Sequence, residues 1–214
     1  MPFYGLDNLD ARIADHVPVP IGSFIELGAY DGISQSNTLH FEEKGWRGVL
    51  IEPLPSAFAA CIRNRPMAKV FNCACVPFNY PGQTVKMTAV GLMSLVGGSM
   101  GDRTKEEAWI ARGEAVQAIT RTEVVVPART LDSILVETKL PRPDLLVLDV
   151  EGAELQVLHG LDFGRHRPRS IVCEDSYTPD VANFLQDMGY SLRAVLLERK
   201  FTRDILYFDE SSQA

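Results

Sequence analysis

Short apolar runs alternate with amphipathic segments over the first third of the chain. The runs end in glycine or proline, as buried strands do when a turn follows them. The segments between them place apolar side chains at helical spacing, and Ser34 stands where a helix N-cap would be. Their order is that of a parallel sheet with helical crossovers. The predicted strands are residues 23–28, 48–53 and 68–76, and the predicted helices are residues 6–16, residues 34–44 and a segment that begins at Pro55.

The alternation stops in the middle of the chain. The stretch from Gly91 to Gly101 is rich in Gly, Ser and Met, residues 104–118 have the polarity of an exposed helix, and residues 122–126 alternate like an exposed or edge strand. We interpret residues 79–121 as an insertion that folds over one end of the sheet as a lid. The chain is then a single domain, residues 1–214, rather than two domains.

Regular order returns in the last third. Residues 145–149 form a near-continuous apolar run, which is typical of a central parallel strand that is buried on both faces. Residues 190–197 and 201–208 are two further strands joined by a tight polar turn, which predicts an antiparallel hairpin. The whole pattern predicts an α/β fold, a Rossmann-like doubly wound sheet that is mostly parallel and ends in this hairpin. A strand at residues 170–174 and helices at residues 153–160 and 179–188 complete the prediction.

Composition and charge narrow the classes of protein that fit. With 46% hydrophobic and 23% charged residues among 214, the chain has globular proportions. Its formal net charge is −7 and it has no long run of Lys or Arg, so nucleic acids are not expected as partners. No segment approaches the ~18 apolar residues of a membrane span, and no signal peptide is recognisable, so we expect a cytoplasmic protein. The four cysteines lack zinc-site spacing, and we expect them to be core thiols.

The first candidate site is the loop from Glu26 to Gly32, which follows the first predicted strand. Its two glycines allow a sharp turn and a close approach of the backbone to a ligand. The carboxylates of Glu26 and Asp31 would repel the diphosphate of a dinucleotide, whereas they suit a ligand with a cationic amine, such as S-adenosylmethionine. The alternative is a glycine-rich turn whose acids are merely solvated.

The second candidate is Glu52, which ends the second predicted strand 20 positions after Gly32. A carboxylate at this place can accept hydrogen bonds from both ribose hydroxyls of a nucleoside cofactor. Taken alone, Glu52 could also be a strand-end acid that faces water. Because the carboxyl ends of neighbouring parallel strands share one edge of a sheet, Glu52 and the glycine loop together favour a nucleoside cofactor.

The third candidate is the segment from Asp149 to Glu154, which leaves the central strand and carries three carboxylates. These groups could orient or deprotonate an acceptor, or hold a divalent cation through oxygen ligands. The alternative is a helix N-terminus at which acids satisfy backbone amides, a role that suits Glu154 best. Asp149 is the stronger functional candidate because it ends an apolar strand. Glu174 and Asp175 end the next strand and either line the acceptor side or belong to a solvated loop.

At these residues the sequence resembles the FkbM family of S-adenosylmethionine-dependent methyltransferases. The resemblance covers most of residues 23–163, with its motifs in the expected order, while residues 79–121 and the C-terminal hairpin lie outside it. The motifs are residues 24–32, Ser36–Asn37–Thr38, residues 45–48, Ile51–Glu52–Pro53, Asn64–Arg65, residues 130–133, and residues 149–154 with Leu158 and Gly160.

The resemblance implies roles for individual residues. The methionine end of the cofactor would be held by Glu26, Gly28, Asp31 and Gly32, and its carboxylate would be met by Ser36, Asn37 and Thr38. Glu52, followed by Pro53, would hold the ribose, and the segment containing Cys73 and Ala74 would lie beside the adenine. Asp149 and Glu151 would face the reacting centre, with Asp149 the first candidate for the general base and Glu151 the second.

The function expected from the resemblance is O-methylation of a small hydroxylated acceptor, a sugar or a natural product, with S-adenosylmethionine as the methyl donor. A divalent metal, if one takes part, would be held by Asp149 and Glu151. Two alternatives stay open. One is an NAD-dependent oxidoreductase on a similar sheet, and the other is a cofactor-binding module that has lost catalysis and pairs with a partner through residues 91–118.

Overall fold

A computed structural model describes residues 2–17, 19–140, 142–175 and 179–213. Its helices are α1 (Leu9–His16), α2 (Leu39–Glu43), α3 (Pro55–Asn64), α4 (Arg103–Gln117), α5 (Leu131–Thr138), α6 (Glu154–Leu158) and α7 (Asp180–Asp187). Its strands are β1 (Ser23–Leu27), β2 (Arg47–Ile51), β3 (Lys69–Phe71), β4 (Ala74–Cys75), β5 (Thr84–Ala89), β6 (Leu95–Val96), β7 (Thr122–Arg129), β8 (Leu145–Leu148), β9 (Ser170–Asp175), β10 (Tyr190–Glu198) and β11 (Arg203–Asp209).

Seven strands form the main sheet, in the order β10-β11-β9-β8-β1-β2-β3. The five strands from β9 to β3 are parallel, and β11 lies antiparallel between β9 and β10. Strand order reverses between β1 and β8, which pair directly. The predicted fold class is therefore confirmed, including the C-terminal hairpin. A sheet of this kind binds its ligand at the carboxyl edge, beside the strands where the order reverses.

The central strands of the main sheet, β1, β8 and β9, are buried on both faces, as their apolar sequences predict. Side chains of β1 alternate between two cores, with Phe24 on one face and Ile25 and Leu27 on the other. Helices α1, α2 and α3 supply the first core, and α5, α6 and α7 supply the second. Because helices cover both faces of these strands, a ligand can reach the sheet at the edges where the strands end.

A second sheet, in the order β4-β7-β5-β6, includes the two strands of the insertion, β5 and β6. The prediction of one strand over residues 68–76 is wrong, because β3 belongs to the main sheet and β4 to the second. Between them, the side-chain amide of Asn72 donates to the carbonyls of Glu52 and Pro53 and turns the chain. The prediction of an exposed or edge strand at residues 122–126 is confirmed, because this part of β7 is mostly exposed and pairs only with β5, whereas β4 pairs with Ala128 and Arg129.

Two predicted helices differ from the observed ones, and one helix has no counterpart in the prediction. The segment 34–44 is helical only in α2, because residues 34–38 form an irregular loop in which Gln35 has a φ of +60°. Residues 6–16 form a short turn and then α1, separated by positive φ angles at Asp7 and Asn8. Helix α5 was not predicted, although Thr130 caps it. No helix in the described part of the chain is long and apolar enough to cross a membrane.

Candidate functional site

A cavity of about 430 Å³ opens at the carboxyl edge of the main sheet. Its floor comes from the ends of β1, β2, β8 and β9, and its roof comes from the insertion and from the turn between β10 and β11. This volume lies within the range of small-molecule sites, roughly 300–1,000 Å³. Most of the predicted site residues line the cavity, namely Glu26, Gly28, Asn37, Glu52, Pro53, Cys73, Ala74, Asp149 and Glu151, whereas Asp31, Gly32, Ser36 and Thr38 do not.

The chain turns after β1 at Gly28, where only glycine fits. Gly28 has a φ of +79°, and a Cβ at this position would lie 2.0 Å from the carbonyl oxygen of Asp149. A side chain would therefore force the loops after β1 and β8 apart. The absence of a side chain at Gly28 brings Asp149 against the first loop and joins the first and third candidate sites into one.

The first loop uses its own backbone amides. The N–H groups of Gly28 and Ala29 donate to the carbonyl of Ile51, at 3.1 and 3.3 Å, and that of Gly32 donates to the carbonyl of Ala29. The N–H groups of Ile33 and Ser34 both donate to Asp31. Partial burial opposes these bonds, but together they lower the pKa of Asp31 below its usual value. These amides already have acceptors, and no helix begins between the end of β1 and Leu39. The loop therefore does not offer a diphosphate the bare amides that it needs.

Glu26 is buried and bonded to the loop that follows it. Its carboxylate accepts hydrogen bonds from the backbone N–H of Asn37 at 2.7 Å, the hydroxyl of Ser36 at 3.0 Å and the hydroxyl of Thr38 at 2.5 Å. Burial raises the pKa of Glu26, against the opposing effects of the Arg65 charge and of these hydrogen bonds. The polar groups of Ser36 and Thr38 therefore turn towards Glu26, which explains why these two residues do not line the cavity.

Arg65 holds the same network from the other side, and sequence reasoning assigned it no role. Its side chain is fully buried at the end of α3. It donates to the carbonyl of Gly32 at 3.0 Å, to the hydroxyls of Ser36 and Thr38 at 3.1 Å each, and to the carboxylate of Glu42 at 3.0 Å. In the sequence, Arg65 was noticed only as part of the Asn64–Arg65 motif. Its role could not be predicted, because its partners come from three separate segments of the chain.

Glu52 faces the cavity and is held in place by two backbone amides. One carboxylate oxygen accepts from the N–H of Tyr30 and the other from the N–H of Leu54, both at 2.8 Å. Burial raises the pKa of Glu52 to about 7, despite these two bonds, which lower it. The two bonds therefore orient the Glu52 side chain but do not fully stabilise its negative charge. Further hydrogen-bond donors would stabilise the ionised carboxylate.

A cluster of acidic side chains forms the floor beyond Gly28. Asp149 is exposed to the cavity although it lies deep in the protein. Burial and the neighbouring carboxyls, first among them Glu174, raise the pKa of Asp149 well above its usual value. Burial and the charge of Asp149 do the same for Glu151. Glu154 instead accepts from the N–H groups of Val150 and Gly152, both at 3.2 Å, which is the structural role considered for it.

The two acids at the end of β9 have different surroundings. Glu174 lines the cavity, whereas Asp175 is buried and accepts two hydrogen bonds from Arg203, at 2.7 and 2.9 Å. Within the described ranges, no three His, Cys, Asp or Glu side chains are arranged to hold a metal ion. The four cysteines are buried and form no disulfide with one another. Cys73 and Cys75 lie in the cavity wall.

The roof of the cavity comes from segments in which the sequence showed no motif. The hydroxyl of Ser99 donates to the carbonyl of Glu151 at 3.0 Å, so the glycine-rich part of the insertion rests on the loop after β8. Helix α4 contributes Trp109 and Arg112, and the turn between β10 and β11 contributes Lys200 and neighbouring residues. Sequence reasoning missed these side chains because only the fold of the insertion brings them to the sheet edge.

Comparisons with known proteins agree with this architecture. Residues 26–192 match the family model described as Methyltransferase FkbM domain. No curated protein sequence matches the chain.

Three solved structures show the same fold at low sequence identity. A ribosomal protein L11 methylase from Lactobacillus delbrueckii subsp. bulgaricus has 8% identity and a TM-score of 0.53, over 95% of this chain and 78% of that one. The putative methyltransferase yhhF from Escherichia coli has 15% identity and a TM-score of 0.52, over 99% and 89%. TrmK of M. capricolum, in complex with S-adenosyl-homocysteine, has 6% identity and a TM-score of 0.51, over 93% and 68%.

Removal of the Arg65 charge tests the network behind the cavity. We expect Arg65→Met to lower the free energy of unfolding by about 3–5 kcal/mol at pH 7, because Glu26 and Glu42 lose their buried cation. The loss should shrink towards pH 5. Without Arg65 the folded-state pKa of Glu26 rises further above its unfolded value, and such a group penalises folding more as the pH rises.

Urea unfolding at the two pH values measures both effects, with the exposed Arg63→Met on the same helix as the matched control. The control should change stability by less than about 0.5 kcal/mol. Equal stability of the two variants would contradict the structural role of Arg65.

Proposed function

The chain belongs to the FkbM family of S-adenosylmethionine-dependent methyltransferases, and we propose that it methylates a hydroxyl oxygen of a small acceptor. The acceptor would be a sugar or a hydroxylated natural product. One observation carries the proposal, namely that Glu52 and the solvent-accessible Asp149 line the same cavity at the carboxyl edge of the sheet. The first has the properties of a ribose-binding group and the second those of a base.

The residues of the cavity fit the chemistry of the cofactor. A nucleoside offers two ribose hydroxyls, and Glu52 is a buried carboxylate, oriented by two N–H groups, whose raised pKa shows that it lacks compensation. The cofactor also carries an ammonium and a sulfonium group, and the floor presents a further uncompensated carboxyl at Glu151. Apolar side chains at Ile51 and Leu54 complete the wall beside Glu52.

The fold suggests which residues would hold each part of the cofactor. Glu52 and Pro53 would bind the ribose, with Cys73 and Ala74 beside the base. Gly28 would allow the backbone to approach the methionine end. Glu26 would act there mainly by shaping the loop, since its oxygens are occupied by the loop's own donors. The conformation of that loop would be stabilised by four residues that do not line the cavity, namely Asp31, Gly32, Ser36 and Thr38.

When bound, the cofactor supplies a methyl group on a positively charged sulfur, which is already a strong electrophile. The protein's task is then to orient the acceptor and to receive a proton. Asp149 is placed to take the hydroxyl proton on a carboxylate oxygen, because its side chain is open to the cavity and its raised pKa strengthens it as a base. Glu151 is the second candidate for this role.

The insertion would serve as a lid that excludes water. Parts of residues 91–117 line the cavity, and the Ser99–Glu151 contact joins this segment to the loop that carries Asp149. A site closed in this way would favour methyl transfer to the acceptor over loss of the methyl group to water. The oxidoreductase alternative loses its support, because the family match names a methyltransferase and the first loop uses its own amides. A binding module without catalysis would need Glu52 but not Asp149.

The role of Glu52 predicts a pH-dependent affinity for the cofactor. Ribose hydroxyls donate to the ionised carboxylate, so with a pKa of about 7 we expect S-adenosylmethionine to bind about tenfold more weakly at pH 6 than at pH 8. Glu52→Gln should weaken binding at pH 8 by about tenfold or more and remove most of the pH dependence. Calorimetric titration at the two pH values checks both, with Asp187→Asn, an exposed acid on α7, as the control. Unchanged affinity in Glu52→Gln would remove Glu52 from the cofactor site.

The role of Asp149 predicts a separation of binding from turnover. Asp149→Asn should lower kcat by about 10²–10⁴-fold, because it removes the proton acceptor, while the Kd for the cofactor changes by only a few-fold. Transfer of a radiolabelled methyl group to a panel of monosaccharides and polyphenols measures the rate, with Glu151→Gln in parallel. A larger loss in Glu151→Gln would transfer the role to Glu151. Full activity in both variants would exclude a carboxylate base on this loop.

A further inference from the structure

Two cations at the mouth of the cavity stand out because they have no acidic partner. Arg112, Arg199 and Lys200 are the basic side chains among its lining residues. Arg199 pairs with Asp204 and Asp7. In the described part of the chain, neither Arg112 nor Lys200 makes an ion pair or a hydrogen bond. Their charges are therefore available to a ligand.

These two cations come from different segments and meet over one aromatic ring. The guanidinium carbon of Arg112, on α4, lies 5.4 Å from the ring centre of Phe201, and the ammonium of Lys200 lies 5.0 Å from the same ring centre. Arg112 also lies 5.6 Å from the ring centre of Trp109, one turn earlier on α4. The aromatic rings attract each cation, but two like charges over one ring repel each other unless an anion joins them.

The rim has the opposite character to the floor. Asp149, Glu151 and Glu174 make the floor acidic, whereas the rim combines two cations with exposed apolar surface, including Phe201, which is 52% exposed. The chain as a whole carries a net charge of −7, so the positive charge at the mouth is opposite in sign to the charge of the whole protein. A neutral acceptor would leave both cations unused, and a wholly anionic one would be repelled by the floor.

We propose that Arg112 and Lys200 bind an anionic group, a phosphate or a carboxylate, that the acceptor carries at the end away from its reacting hydroxyl. The fork of Arg112 suits either oxyanion in a bidentate way, and Lys200 adds a second charge. The acceptor would thus be a hydroxylated molecule with one anionic end, which reaches Asp149 with its hydroxyl and stays at the mouth with its charge. This inference rests on the proposed function for the hydroxyl end, while anion binding at the rim can be measured without turnover.

The chain contains its own reporter for this test. Of its two tryptophans, Trp46 is buried in the core and Trp109 lies on the rim beside Arg112. We would titrate the cofactor-free protein with glucose 6-phosphate, glucuronate and glucose at constant ionic strength and follow tryptophan fluorescence. Both anions should change the emission with saturation, glucose should not, and Trp109→Phe should abolish the change.

The double variant Arg112→Gln/Lys200→Gln should bind both anions at least about tenfold more weakly. Arg103→Gln/Lys105→Gln is the matched control, because it removes the same total charge, from positions on α4 that lie outside the cavity. Stronger binding of glucose 6-phosphate would identify a phosphate-bearing acceptor, and stronger binding of glucuronate a carboxylate-bearing one. Both rim residues carry exposed side chains, so the variant should fold with an unchanged thermal midpoint.

Three outcomes would overturn the inference. They are equal affinity in the rim variant and the wild type, an equal loss of affinity in the matched control, and no saturable response of the wild type to either anion. Failure of the proposed function is distinguishable, since it would appear as absent binding of S-adenosylmethionine in the calorimetric titration. Anion binding at the rim could stand without it, and cofactor binding could stand without a rim site.

Discussion

The buried pair of Glu26 and Arg65 is the constraint on which the rest of the site depends. Taking both charges out of water costs several kcal/mol for each ion unless every polar atom finds a partner. The chain meets most of this demand with the loop of residues 32–38, whose hydroxyls, amide and carbonyl bond to the two side chains. The position of the loop therefore follows from the burial of the pair. With the loop in place, the turn at Gly28 can lie against Asp149.

The cavity therefore has two kinds of acidic side chain, and the difference between them suggests a division of labour. Glu26 accepts hydrogen bonds from Ser36, Asn37 and Thr38 and thereby holds the loop beside the cavity in place. Glu52 has only two backbone donors, and Asp149 is exposed to the cavity beside other carboxyls. Burial raises the pKa of both groups, because the protein alone does not fully compensate their charges. In our proposal that compensation comes from the ribose hydroxyls of the cofactor at Glu52 and from the acceptor's proton at Asp149.

Much of the fold was predictable because β1 and β2 are short apolar runs that end at glycine or proline, and β8 is a continuous apolar run. The acids at the ends of β1, β2 and β8 were also identified, since chain order alone places them at one sheet edge. The local sequence pattern did not predict the structure of segments whose conformation depends on tertiary contacts. Residues 34–38 were predicted to begin a helix because Ser34 could be its N-cap, yet polar groups of Ser36, Asn37 and Thr38 bond to Glu26 or Arg65 instead of forming helix turns. The break between β3 and β4 depends on the Asn72 side chain, and the rim residues Arg112 and Lys200 become neighbours only through the folded insertion.

We propose that this cavity holds the nucleoside of the cofactor at Glu52 and leaves Asp149 free for the acceptor. A crystal structure of the protein with S-adenosylhomocysteine tests it most directly. We expect ribose hydroxyls hydrogen-bonded to the carboxylate of Glu52, the base beside Cys73 and Ala74, and a solvent-accessible Asp149 on the side of the sulfur. A nucleoside bound away from Glu52, or one whose own groups occupy Asp149, would contradict it.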